Sequence, residues 1–420
     1  MTFTSALLYN GMDVGIDQNL HSNGASVRIV IRSAARHDPV PGCAHFLEHC
    51  IAQSAAPTGG SVTDALEQLC LYSNFLTGKE RILCLADTSS DDLPDVLGLL
   101  AHALNNPALD ASTMARERAR ILHEEEERRA VTPSYGSLDH QIWGEHPFSN
   151  TPLGLRSGIK ALQVEDLEAF RHSHVVGSNM GIIISSPLCP EQTLRLVEKD
   201  FGRISRGESR TVQSPPSFRP NPRLSIERNQ DLQALTVCLE HIDPSPAERA
   251  SYVALTAMLL TEINKRLSRT ALNYGGGFTD YIPYSDVAYC EIGLTVTPEN
   301  AGAGLALIAS TLRDETAWLT PHSLATVKKQ WQLASDFNNN DPRQRVCLMT
   351  AEYELTGNMV PWQELDGRYD RVTIQSVREA LRHLDLANPA FISVGPASAP
   401  WIAQKPAAIS PVMLAEPAIA

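Results

Sequence analysis

Pro41 to Cys50 reads P-G-C-A-H-F-L-E-H-C and sets His45, Glu48 and His49 in an H-x-x-E-H pattern. On a helix of 3.6 residues per turn, residues four apart lie one turn apart on the same face. Both imidazoles can then reach one metal ion, with the Glu48 carboxylate beside it. A catalytic zinc site has three protein ligands and an open fourth position. The ion draws the pKa of a water towards neutrality, and a nearby carboxylate can take its proton. The stretch therefore supplies two ligands and a general base, and it lacks a third ligand. The plain alternative is a surface helix whose two solvated histidines make an i,i+4 contact.

The third ligand is sought downstream. Thr113 to Arg129, T-M-A-R-E-R-A-R-I-L-H-E-E-E-E-R-R, is rich in Ala, Arg, Leu and Glu and free of Gly and Pro, which predicts a helix. Glu117 and Glu124 are two turns apart and share a stripe with Ile121, so the stripe is expected to be buried. A carboxylate on a buried stripe needs a partner. Glu124 and Glu117 are the inward candidates, and Glu125 to Glu127 read as a charged, solvated face.

The chain has 420 residues, 43% hydrophobic and 20% charged, which suits two or three domains of an ordinary globular protein. A net charge of −13 argues against general nucleic-acid binding. It fits either a cavity that attracts basic peptides or plain solubility, and solubility is the preferred reading. The N-terminus has no basic region followed by an apolar stretch, and it reads as a first strand and turn rather than a signal peptide. No run approaches the length of a membrane span. Eight cysteines are scattered without C-x-x-C spacing, as expected of a reducing compartment and a cytoplasmic location. Cys43 and Cys50 flank the motif and stay open as further metal ligands.

Val27–Arg32 alternates as a strand, and a Pro-rich turn leads into the H-x-x-E-H helix. Val62–Leu71 has helix periodicity, Ser73–Ala86 reads as a hairpin, Asp92–Asn106 as a helix, and Gly181–Ser185 as a closing strand. Residues 206–222 are rich in Pro, Ser and Arg and read as a linker between domains 1–205 and 223–420. Beyond it the pattern starts again: a strand at Ala234–Glu240, a helix at Pro246–Leu267, a strand at Tyr289–Thr297, and helices at Asn300–Thr311, Ser323–Ala334 and Ile374–Leu384. A strand at Ala390–Gly395 closes it. This is an internal duplication of about two hundred residues, too long for a solenoid repeat. The second copy has no H-x-x-E-H; Val327 stands where Glu117 stands and Ala334 where Glu124 stands. One metal site per chain is expected.

H-x-x-E-H is the inverse of the common H-E-x-x-H zinc motif. Together with a Glu about seventy-five residues after the second His, and another Glu two turns before it, it resembles the pitrilysin or insulinase family, peptidase family M16. That family includes mitochondrial processing peptidase. The resemblance covers almost the whole chain. It implies zinc held by His45, His49 and Glu124, with Glu126 also within the family's spacing, Glu48 as the base, and Glu117 supporting a ligand. It implies an α+β fold of two duplicated domains, each a mostly antiparallel sheet with helices packed on one face; the separation of strands and helices is compatible with that class. It implies that the Ser73–Ala86 hairpin holds peptides by strand addition, with Asn74 near the reacting water. An Asn in a turn is the plainer reading.

In the second domain the resemblance implies an Arg and a Tyr about seven residues apart that reach towards the site. Here K-R-L-S-R-T-A-L-N-Y offers Arg266 or Arg269 with Tyr274, at spacings of eight and five, followed by an unusual Gly275-Gly276-Gly277 run. The motif is also followed by C-I-A-Q-S-A-A-P rather than the family's Phe-Lys-Gly-Thr-like segment. The implied activity is a zinc-dependent endopeptidase acting on peptides or unfolded segments in a chamber of two subunits. The implied partner is a second copy or a related subunit, and an inert scaffold is the rival class.

Overall fold

The computed structural model describes residues 2–132, 135–208, 216–219, 222–241, 249–270, 272 and 274–396, without the side chain of Tyr274. Backbone contacts divide the chain into two compact units. The first is Met1–Thr132, Pro147–Gln213 and Ser335–Leu365, and the second is Pro133–His146, Ser214–Ala334 and Asp366–Ala420. Much of the expected linker, 209–215 and 220–221, lies outside the described residues.

The first unit holds β1 (Phe3–Leu7), β2 (Asp13–Gln18), β3 (Gly24–Ile31), β4 (Cys70–Thr77), β5 (Ile82–Ser89) and β6 (Met180–Ser186) in the order β1-β2-β6-β3-β5-β4. Neighbours are antiparallel except the parallel pair β2/β6. The second unit holds β7 (Arg223–Glu227), β8 (Gln233–His241), β9 (Tyr274–Pro283), β10 (Ala288–Val296) and β11 (Ala390–Gly395) in the order β7-β11-β8-β10-β9. Its one parallel pair is β7/β11. Removing β1 makes the two orders identical, strand for strand. The fold is α+β, with two similar domains.

Helices fill one face of each sheet, as the family resemblance implies. Val27, Ile29 and Ile31 on β3, with Ile182 and Ile184 on β6, meet the apolar sides of the Cys43–Ala52, Leu93–Asn105 and Val164–His174 helices in one core. The opposite face of the first sheet is covered as well. Val30 and Ile183 pack there against Val346, Met349 and Tyr353 of the Pro342–Thr356 helix and against Trp362 and Leu365. Burial on both faces explains why β3 and β6 read as nearly unbroken apolar runs. Segment 335–365 therefore joins the first unit although it follows the linker. In the second unit the Ser137–Trp143 helix, which precedes the linker, brings Trp143 to within 5.1 Å of the Phe218 ring and 6.1 Å of the Tyr289 ring of β10.

No helix among the described residues is long and apolar enough to cross a membrane. β4 and β9 are sheet edges, each paired on one side.

The Pro342–Thr356 helix is fastened by charge. Arg345 Nη1 lies 3.0 Å from Asp17 Oδ2, which also accepts from Ser185 Oγ at 2.7 Å, and both charged side chains are fully buried. Removing one member of a buried pair leaves an uncompensated charge, at a cost of about 3–5 kcal/mol. Arg345→Ala is expected to lower unfolding stability by that amount in urea titrations. Arg345→Met combined with Asp17→Leu is expected to recover most of the loss, because neither charge then remains to be desolvated.

Candidate metal centre

The Cys43–Ala52 helix begins after Pro39, Pro41 and Gly42. Gly42 sits at φ 102°, a left-handed conformation that side chains rarely adopt, and offers no capping side chain. Asp38 supplies the cap: its two oxygens accept the backbone N–H groups of Gly42 and Ala44, each at 2.8 Å. Burial pushes the Asp38 carboxyl up to about 7, against the pull of these N–H groups. Cys43, Ala44, Phe46, Leu47, Cys50 and Ile51 lie in the core, so the helix is buried nearly all round. His45, 5% exposed, and Glu48, 7% exposed, are polar groups inside that apolar setting, and such groups persist only with partners.

Glu48 is met by Thr77 of β4, and the partner of His45 comes from the Ala111–Val131 helix, whose Asp110 cap accepts from the N–H groups of Ser112 and Thr113. Glu124 Oε2 lies 3.6 Å from His45 Nε2 and 3.7 Å from His49 Nε2. The two imidazole centroids are 4.7 Å apart, with planes at 88°. One ligand atom from each of His45, His49 and Glu124 lies within 4.8 Å of the others, and no other such group of His, Cys, Asp and Glu occurs among the described residues. Bonds of about 2.0–2.2 Å in tetrahedral geometry put ligand atoms about 3.3–3.6 Å apart, so the spacings to Glu124 fit an ion between the three side chains. Two imidazoles and one carboxylate are also the donor set that suits zinc, although such a set binds several divalent ions.

His49 is held from behind. Its Nδ1 lies 3.1 Å from Glu117 Oε2, which leaves Nε2 to face Glu124, the arrangement usual for a carboxylate behind a ligating imidazole. Glu117 is fully buried, and it also accepts from Arg116 Nε at 2.9 Å and Arg120 Nη1 at 3.2 Å.

Charges in the site are shifted in opposite senses. Burial, helped by the neighbouring His49, pushes His45 down to about 4, so it is neutral and available as a ligand. Burial alone would lower His49 too, but Glu124, Glu48 and Glu117 outweigh it and raise the value. Burial opposes the charged form of Glu117, yet His49, Arg116 and Arg120 win and hold it low. The hydrogen bond to His49 lowers Glu124. Burial pushes Glu48 up to about 7 in spite of His49 and Thr77. A carboxyl near neutrality can both take and return a proton.

Other expected residues are distributed as follows. Glu126 is exposed, with Arg156 at 3.9 Å, and is not part of the group. Glu125 corrects the expected solvated face: it is buried and paired with Arg129 and Arg156, because its position turns it towards the Arg156–Ala161 helix. Cys43 Sγ donates to the Asp166 carbonyl, and Cys50 Sγ contacts Met114 Sδ. Burial raises both thiols, Cys50 to about 12, and neither belongs to the group of potential ligands.

Asn74 lies on β4, where Tyr72, Asn74 and Leu76 alternate with Ser73, Phe75 and Thr77. Phe75 enters the core and Thr77 meets Glu48, so the Asn74 side chain is on the other face. There it donates to Tyr72 Oη and accepts from the Phe75 N–H. Arg266, Arg269 and Tyr274 belong to the second unit. Arg266 is engaged by Glu262 at 2.8 Å and Asp314 at 2.9 Å. Arg269 is exposed just past the Arg249–Leu267 helix, and Tyr274 opens β9, with its side chain outside the described residues.

Three contributors escaped the sequence reading. Thr77 Oγ1 donates to Glu48 Oε2 at 3.0 Å. Its signal was the strand alternation that places it with Phe75 rather than Asn74. Arg116 and Arg120 flank Glu117 at i−1 and i+3, and the i+3 position is a helix-face neighbour.

Metal binding is expected to follow this geometry. His49→Ala and Glu124→Ala abolish stoichiometric zinc binding, Glu117→Ala weakens it about 10- to 100-fold, and Glu126→Ala leaves it unchanged. Competition with a chromophoric chelator measures each. Release of zinc by Glu126→Ala but not by Glu124→Ala would reassign the third ligand.

The chain also resembles known proteins. The family profile described as Insulinase (Peptidase family M16) matches residues 14–144, and the one described as Peptidase M16 inactive domain matches residues 161–331. The probable mitochondrial-processing peptidase subunit beta of Arabidopsis thaliana is 26% identical over 262 residues, 60% of this chain and 49% of that protein. The match thus takes in about half the length of that relative. The mitochondrial-processing peptidase subunit beta of Dictyostelium discoideum is 25% identical over 416 residues, 93% of this chain and 88% of that protein. Among solved structures, a peptidase M16 inactive domain from Pseudomonas fluorescens superposes with a TM-score of 0.83 at 17% identity, covering 94% of this chain and 99% of the other. That likeness concerns the fold. With two family profiles spanning most of its length, the chain belongs to peptidase family M16.

Proposed function

We propose that the chain is a zinc-dependent metalloendopeptidase in which His45, His49 and Glu124 hold the metal and Glu48 carries the proton. The observation that supports this best is the convergence of the three ligand atoms within 4.8 Å, beside a buried carboxyl anchored by Thr77. Zinc bound by these residues supplies Lewis acidity to a water and to the scissile carbonyl.

This chain's own residues do the rest. Thr77 occupies Glu48 Oε2, which leaves Oε1 to accept a proton from the attacking water. As the new C–O bond forms and the C–N bond breaks, Glu48 passes that proton to the leaving amine. Glu117 fixes the His49 ring through Nδ1. The open edge of β4 runs from Cys70 to Thr77 and so ends beside Glu48. An extended peptide pairing with that edge is led to the reacting groups. The proposal does not depend on Asn74, Arg266, Arg269 or Tyr274.

The substrate class is a peptide or unfolded segment, including a precursor to be processed, in a chamber formed with a second copy or a related M16 subunit. A second reading, activity only in a heterodimer, is favoured by the relatives, which are named as subunits of a processing peptidase.

Native mass spectrometry joined to a peptide-cleavage screen separates these readings. A dimer with one zinc per chain that cleaves peptides is expected for a self-sufficient enzyme; a zinc-loaded monomer that cleaves only after a related subunit is added identifies the heterodimer. Glu48→Gln is expected to keep zinc and lose at least about a hundredfold in kcat. Activity surviving that change would show that Glu48 is not the base.

A further inference from the structure

The segment His146–Arg156, H-P-F-S-N-T-P-L-G-L-R, supplies no ligand and no proton carrier, yet the structure ties its Pro147–Arg156 part to both pieces of chain that hold Glu48. One tie is to the helix that carries it. Gly154, at φ 77°, lies so close to Gly42 that a Cβ at 154 would collide with the Gly42 backbone and the Pro41 carbonyl. Gly158, just beyond, closes on the same carbonyl. Pro41 and Gly42 are the entry to the Cys43–Ala52 helix.

The other tie is to the end of β4. Two residues past Thr77, Lys79 Nζ donates to the carbonyl oxygens of Phe148 at 2.9 Å and Asn150 at 3.2 Å. It also lies 5.2 Å from the centroid of the buried Phe148 ring, and Arg36 Cζ is at the same distance. Arg36 in turn pairs with Glu80 at 2.7 Å, and its N–H donates to the Lys79 carbonyl at 2.8 Å. Asn150 Nδ2 closes the ring by donating to the Ala35 carbonyl at 3.2 Å. An ammonium with two carbonyl acceptors and an aromatic face is a strong local fastening.

We propose that Lys79 is a positioning residue for Glu48: by clamping the end of β4 to the loop that also braces the helix entry, it sets the distance across which Thr77 hydrogen-bonds the base. The proposal rests on the role of Glu48 given above. Without the clamp, the β4–β5 turn keeps its own Gly78 N–H to Arg81 carbonyl bond and its main-chain bonds to Ala35 and Arg36, but loses its side-chain tie to the loop that braces the helix entry. The Thr77 hydroxyl then drifts from Glu48, while the three metal ligands, which lie on the two helices, stay where they are.

The test uses the metal-loaded full-length protein with Lys79→Met and, as the conservative variant, Lys79→Arg. In a crystal structure of Lys79→Met, the separation of Thr77 Oγ1 and Glu48 Oε2 is expected to open beyond about 3.5 Å, outside hydrogen-bond range. Metal content is expected to stay at the native level, and kcat for a peptide that the native protein cuts to fall about 10- to 100-fold with KM within about threefold. Lys79→Arg is expected to regain most of that loss. A native Thr77–Glu48 separation in Lys79→Met would overturn the proposal, as would an unchanged kcat. Loss of metal would also overturn it, since the clamp would then serve the ligand helix rather than the base. If the native protein cuts no peptide, the peptidase reading fails, and the crystallographic separation alone decides the role of Lys79.

Discussion

The candidate metal centre depends on the contact between His49 and Glu117, 3.1 Å apart and 68 residues distant in the chain. It joins two helices of opposite character. One is apolar on nearly every side and carries its polar groups into the core; the other is charged along most of its length and reaches the core through Met114, Glu117 and Ile121. A buried carboxylate and a partly buried imidazole are each costly alone and tolerable together. With His49 oriented in this way, its Nε2, His45 and Glu124 converge, and the arginines beside Glu117 keep that carboxylate charged.

The surrounding fold delivers these helices. The strand order of the first sheet recurs in the second, and so do the long helices at Ala111–Val131 and Pro321–Asn338. Among the described residues the candidate ligands are confined to one copy by side chains rather than by backbone. Val327 is buried at the position of Glu117, and Ala334 stands exposed at that of Glu124. The second family profile is described as an inactive domain and runs to residue 331, which takes in Val327; this agrees with a copy that keeps the architecture without the ligands.

Much of this was legible in the sequence because it is local or periodic. The H-x-x-E-H spacing, the two-turn Glu117–Glu124 interval and the strand alternation of Val27–Arg32 are each set by the geometry of a single element. What stayed hidden depends on contacts between segments far apart. Glu125 was read as solvated because it sits within four consecutive glutamates; only the Arg156–Ala161 helix, packed against it, shows why it is buried. The cover on the outer face of the first sheet comes from residues 342–356, whose pairing with Asp17 no spacing rule announces. β9 was missed because its Gly275–Gly277 run carries no alternating side chains, although its backbone pairs with β10 on either side of an irregularity at Gly275. Thr77 was overlooked beside the more conspicuous Asn74, yet the pleat of β4 sends Thr77, not Asn74, to the Glu48 carboxyl.

The central claim is that one metal ion sits between His45, His49 and Glu124. It is tested most directly by X-ray diffraction at the zinc absorption edge from crystals grown with zinc. The account predicts a single strong anomalous peak per chain, about 2 Å from His45 Nε2, His49 Nε2 and a Glu124 carboxylate oxygen, with the Glu48 carboxyl beside it and not coordinated. A peak elsewhere, a ligand set built on Glu126 or a cysteine, or no peak in zinc-supplied crystals would contradict it.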